Sequence, residues 1–115
     1  MRIFHIASAA DWQRARRDGA YRVSTRGRTL EQEGFIHASR DDQVLATAEA
    51  FYADADEPLV VLVVDEDRLT SEVRREVPPG GDDAFPHVYG PIDVDAVVAV
   101  LPLERGADGA FTLDL

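Results

Sequence analysis

Three histidines carry most of the chemistry open to this chain. His5, His37 and His87 are the only ones, and each lies in a separate segment among apolar neighbours. Imidazole titrates near neutral pH, so a histidine in a cleft can relay protons. The residue types leave three arrangements open. Three imidazoles can ligate a metal, although no His-x-His or His-x-x-x-His pair pre-forms a site. They can line a polar ligand pocket, with His5 and His37 bonding ligand hydroxyls or phosphates and Tyr21, Tyr52, Tyr89 and Phe85 forming an aromatic wall. They can also be core histidines, each satisfied by a main-chain group. Ser39 is open to two readings as well. It suits a helix N-cap, and in that position it would stand beside amides that attract anions such as phosphate. A serine triad is not expected, because Ser39 lacks the G-x-S-x-G setting of a nucleophile elbow. The chain has no cysteine, which removes thiolate nucleophiles, disulfides and Cys-ligated zinc.

The elements that must position these groups follow from periodicity. Arg2–Ala7 reads as a first strand with Ile3, His5 and Ala7 on one face and Phe4 and Ile6 on the other. With both faces largely apolar, a central strand is expected. Ser8 followed by Asp11 starts a helix over Ala9–Asp18, anchored by Trp12 and Ala15 and closed by Gly19. A polar loop follows, with a strand around Tyr21–Val23 and a helical turn at Thr29–Glu33. Phe35, Ile36 and Ala38 form a short buried strand that places His37 on the face of Phe35. Ser39, with Asp42, then caps a helix whose apolar face is Val44, Leu45, Ala48, Phe51 and Tyr52. The run Leu59–Val64 predicts a strand buried on both faces, and Glu72–Val77 alternates like an outer strand. Pro78–Asp83 is a loop by composition, and prolines make Phe85–Pro91 a rigid, irregular stretch. Ala96–Leu103 predicts a further buried strand and Ala110–Leu113 a last one. Strands dominate, with two main helices near the N-terminus, so the fold class expected is α+β.

At 115 residues the chain suits one domain over 1–115. Its formal net charge of −10 opposes nonspecific nucleic-acid binding, which needs cations to neutralise phosphates. The longest apolar runs are too short to cross a bilayer, and no signal-peptide core stands at the N-terminus, so a cytoplasmic protein without a membrane partner is expected.

The motifs Ile3-Phe4-His5-Ile6-Ala7, Asp11-Trp12, Glu33-Gly34-Phe35-Ile36-His37-Ala38-Ser39, Phe51-Tyr52 and Phe85-Pro86-His87-Val88-Tyr89-Gly90-Pro91 run through nearly the whole chain. Together they resemble domain-of-unknown-function family 952, a family of small bacterial proteins. The resemblance implies an ADP-ribosyltransferase-like fold, in which split antiparallel sheets form a cleft for NAD. The unit His37–Ser39 also looks like the corresponding unit of RNA 2′-phosphotransferases. By position, the resemblance assigns His5 a contact with the nicotinamide-side ribose and places His37 in the same cleft. The late glutamate common among ADP-ribosyltransferases has no counterpart in a buried motif here. His87 and Tyr89 stand in the late segment instead, and Glu76 is the nearest acid. The resulting expectation is NAD or nucleotide binding by His5, Ser39, Tyr52 and Tyr89, with His37 and His87 catalytic in ADP-ribosyltransferase-like or phosphotransferase-like chemistry. A non-catalytic metabolite-binding module and a protein-interaction domain with structural histidines are the alternatives.

Overall fold

The computed structural model describes residues 1–114. Two antiparallel sheets organise them. The first has four strands in the order β1 (Arg2–Ser8), β6 (Leu59–Asp65), β10 (Val97–Arg105) and β11 (Phe111–Thr112). The second has three, β5 (Ile36–His37), β8 (Phe85–Tyr89) and β7 (Glu72–Glu76). Two small ribbons pair β2 (Ala20–Tyr21) with β9 (Ile92–Asp93), and β3 (Val23–Thr25) with β4 (Arg28–Thr29). The helices are α1 (Ala9–Asp18), α2 (Leu30–Glu33) and α3 (Val44–Phe51). This is a mixed α and β domain with split antiparallel sheets. Among the described residues no helix is long and apolar enough to cross a membrane.

The four-stranded sheet has an apolar core on each side. Ile3, Ala7, Leu62 and Val64 pack with Trp12, Ala15 and Tyr21, whereas Phe4, Ile6, Val61 and Val63 pack with Val44, Ala48 and Tyr52. A strand between two cores has no wet face, which is why β6 is an unbroken Val/Leu run. β1 obeys the same rule while lying at the sheet's edge, not at its centre as expected. Its free side is closed at one point, where Phe4 and Ser39 exchange backbone bonds of 2.8 and 2.7 Å. The backbone at 36–39 thus leaves the second sheet, with Ala38 N–H on the Pro86 carbonyl at 3.0 Å, and joins the first.

Local chemistry sets the helix ends. Ser8 accepts from the Asp11 amide at 3.0 Å, and Gly19 closes α1 in the left-handed conformation. Thr29 and Gln32 form a complete capping box on α2. Ser39 does not cap α3. The helix starts at Val44, because Gln43 turns its side chain back to accept from the Arg40 amide at 2.9 Å. Phe51 also departs from expectation, being 66% exposed rather than part of the buried face. At the far end of α3, Arg105 gathers the carbonyls of Tyr52, Ala53 and Ala55 and lies 4.1 Å from the Phe111 ring centroid.

Two other expectations are corrected. Phe85–Tyr89 is a regular central strand. In an antiparallel ladder a residue's N–H and C=O point the same way. The Pro86 carbonyl faces β5, so its missing N–H leaves the β7 ladder intact. β10 is not buried throughout, since Val98 and Val100 are exposed.

Gly90 joins β8 to the segment carrying β9 at a point of close approach. Its φ is +156°, and a Cβ there would overlap Ser71, whose hydroxyl donates to the Pro91 carbonyl at 2.7 Å. Gly90→Ala is expected to cost about 1–3 kcal/mol, measured as a fall in denaturant midpoint at constant slope. An unchanged midpoint would show that Ser71 swings aside freely.

Candidate functional site

The crossing point between the sheets creates a cavity of about 460 Å³. Phe4, His5 and Ile6 line it as consecutive residues, so it opens along the free edge of β1. His37, Ser39, Tyr52 and His87 line it too, as do Phe51, Pro78 and Phe85. All three histidines therefore border one hollow, although they do different things there.

His5 is 2% exposed on an otherwise apolar face of β1. Its Nδ1 lies 2.5 Å from the His37 carbonyl, which can only accept, so Nδ1 carries the hydrogen. Nε2 then accepts from the Tyr21 hydroxyl at 3.0 Å. Burial pushes the His5 pKa down to about 4, and burial likewise raises that of Tyr21. With both nitrogens committed, His5 fixes the backbone of His37 and offers no free polar atom to a ligand.

His37 and His87 are register partners on β5 and β8. Cross-strand partners project to the same side of a sheet. Their rings meet edge to face, 5.4 Å between centroids. Phe35 stacks on His87 at 4.2 Å and meets His37 at 4.7 Å, which confirms that Phe35 and His37 share a face. Burial, with His87 alongside, keeps His37 below the usual imidazole range, despite the Glu33 carboxylate 3.5 Å from its Nε2.

His87 has the more constrained setting. Its Nδ1–H donates to Glu76 Oε1 at 2.9 Å, and Nε2 has no hydrogen-bond partner among the described residues. The same Glu76 oxygen accepts from the Tyr89 hydroxyl at 2.5 Å. These two donors, Tyr89 first, hold the Glu76 carboxyl below the usual carboxylate range. The bond to Glu76 in turn raises the Tyr89 phenol. Arg74 lies 4.4 Å from the Tyr89 ring centroid and pairs with Glu72 at 3.0 Å. A carboxylate behind an imidazole whose far nitrogen is free is the arrangement of a general base, since the carboxylate orients the ring and stabilises the imidazolium.

The other expected ligand contacts separate. Ser39 borders the cavity, but its hydroxyl pairs with Thr47 at 3.3 Å and it is not the N-cap of α3. Tyr52 is a buried wall, with Arg26 5.6 Å from its ring centroid. Tyr89 does not line the cavity and acts through Glu76. Glu76, read from sequence as an outer-strand acid, is the residue that binds His87. The available signal was period two on both strands. Glu72, Arg74 and Glu76 alternate, as do Phe85, His87 and Tyr89, and pairing the two strands as an antiparallel ladder puts both triplets on one face.

The family model described as a protein of unknown function (DUF952) matches residues 6–100. The chain is similar to CC0527 from Caulobacter crescentus. The X-ray crystal structure of that protein aligns with a TM-score of 0.81 and 31% identity, over 97% of this chain and 94% of that one. Its solution NMR structure aligns with a TM-score of 0.75 and 33% identity, over 95% and 90%. No curated protein matches the chain.

Proposed function

The chain belongs to the DUF952 family, whose function is unknown, and from the site itself we propose that the cavity binds NAD or a related nucleotide, ring end first, and that Glu76 and His87 move a proton there. The observation that carries this reading is the Glu76–His87 pair presenting a free Nε2 beside His37 at the wall of a ligand-sized cavity. A volume of about 460 Å³ with mainly apolar, aromatic walls and a few convergent polar groups is typical of small-molecule sites. It suits a nicotinamide and its ribose. No arginine or lysine lines the cavity, so the phosphates of a dinucleotide are expected to stay outside.

NAD supplies a ribosyl carbon whose bond to nicotinamide breaks with the electron pair leaving on the ring. As an incoming hydroxyl or water oxygen bonds to that carbon, His87 Nε2 takes its proton. Glu76 stabilises the resulting imidazolium, which releases the proton to solvent. His5 and Tyr21 keep the backbone at His37 in place. An ADP-ribosyltransferase-like reaction is thereby favoured over a phosphotransferase-like one, for which the wall offers no fixed cation.

Thermal denaturation with NAD, ADP-ribose and nicotinamide tests the reading. A ligand of the folded state raises stability by about 2.7 kcal/mol at a hundredfold excess over its Kd. Stabilisation by NAD with slow nicotinamide release supports the enzyme. Stabilisation without release selects a binding module, and no response to any of the three removes both in favour of an interaction domain.

A further inference from the structure

Phe35 lies against three functional rings at once. Its centroid is 4.2 Å from that of His87, 4.7 Å from His37 and 5.3 Å from Tyr89. Only toward His87 are the planes near parallel, at 23°, against 63° toward His37 and 40° toward Tyr89. Phe35 does not line the cavity, so it acts on a ligand only through the imidazoles. Its backbone is fixed on both sides. Gly34 ends α2 with its N–H on the Leu30 carbonyl at 2.7 Å, the buried Ser24 hydroxyl donates to the Phe35 carbonyl, and Ile36 is anchored in the core.

An aromatic ring carries negative charge on its face, and a cation over that face within about 6 Å is attracted to it. A neutral imidazole gains much less from the same contact. The stack therefore favours protonated His87, the form that arises when Nε2 takes a proton. The charged and titratable groups packed round His87 have their own partners. Glu76 accepts from Nδ1 at 2.9 Å, Arg74 pairs with Glu72 and covers Tyr89, and His37 meets the ring edge to face with Glu33 behind it. We propose that Phe35 is a positioning residue for His87: its ring face stabilises the imidazolium and keeps the ring from turning, while Glu76 holds the ring edge. This rests on the reading of His87 as the proton acceptor.

The charge on the ring face can be removed with little change of shape. Site-specific replacement of Phe35 by mono-, di- and trifluorinated phenylalanine withdraws electron density from the face in steps. The protonation midpoint of His87 is followed by nitrogen NMR in the free protein. It is expected to fall with each fluorine, by about 0.5 to 1 pH unit in the trifluoro form, a roughly three- to tenfold loss of preference for the proton. Phe35→Leu is expected to lower it as far, and Phe35→Tyr to leave it near wild type. His37, met at a steep angle, is expected to move less than His87 in every variant. In nicotinamide release from NAD the trifluoro form should lower kcat with KM held, since Phe35 touches no ligand. A His87 midpoint unmoved by fluorination overturns the inference. So does an equal fall at His37, or a moved midpoint with unchanged kcat. A midpoint that falls as expected in a protein that releases no nicotinamide removes the catalytic reading of the site and leaves the hold of Phe35 on protonated His87 standing.

Discussion

Acidification from pH 7 to pH 4 is expected to cost the fold about 3 kcal/mol through His5 alone, about 2 of it already lost by pH 5. The amount follows from a folded-state pKa of about 4 against 6.5 when unfolded, at 1.36 kcal/mol per unit. Between those values the unfolded chain binds more protons than the folded one, so stability rises with pH and is lost on acidification. The cause is visible in the bonding. A proton on Nε2 would face the Tyr21 hydroxyl in a dry interior, with no carboxylate in contact. His37, also lowered, adds to the same slope. Carboxylates held low by partners, such as Glu66 by Arg75 and Asp83 by Arg40, contribute stability that is lost only below about pH 4.5. The interval from pH 6.5 to 5 therefore isolates the imidazoles. Urea unfolding at half-unit steps through that interval measures the slope, and in His5→Asn it should flatten whatever the variant's absolute stability. An equal slope in His5→Asn would show that His5 is hydrated or already charged.

His87→Ala is expected to slow nicotinamide release from NAD by about 10²- to 10⁴-fold, the range general-base catalysis commonly supplies. Glu76→Gln should lose a large part of the same factor, because glutamine can hold the ring but cannot stabilise the imidazolium. The double variant should be scarcely slower than His87→Ala, since the two groups act as one unit. Glu76 is part-exposed on an edge strand, so its replacement leaves the fold intact and the loss can be read as chemistry. Tyr89→Phe removes the second donor to Glu76 and should raise that carboxyl toward its ordinary range, shifting the acid limb of the pH–rate profile upward. Wild-type turnover in Glu76→Gln would contradict the assigned roles.

Much of this arrangement is legible in the order of residues, and the rest fails for identifiable reasons. The unbroken Leu59–Val64 run and the split of Ile3, His5 and Ala7 from Phe4 and Ile6 both survive, because burial on two faces leaves a direct mark on composition. The α1 caps survive because they are local. Ser39 misleads because a contact 35 residues away in sequence captures its backbone for β1, leaving its hydroxyl to Thr47. β1 looks central because both its faces are covered, but strand position depends on edges, which side-chain patterns do not report. The two prolines flanking His87 suggest irregularity, yet a proline whose nitrogen faces away from its long neighbour costs the sheet little. Glu76 looks like a solvated outer residue, and it is in fact only partly exposed. What raises it to a partner of His87 is the register between two strands, a tertiary fact. The expectation of three imidazoles around one hollow agrees with the coordinates, but the equivalence of the three does not: one is sealed structure and two face the cavity.

The most direct measurement is an NMR titration of the imidazole nitrogens with NAD. His87 Nε2 and the His37 ring should shift progressively and saturably, while His5 Nδ1 and Nε2 stay where they are, locked by the His37 carbonyl and Tyr21. Saturable binding that leaves His37 and His87 untouched, or that moves only surface resonances, would contradict the account.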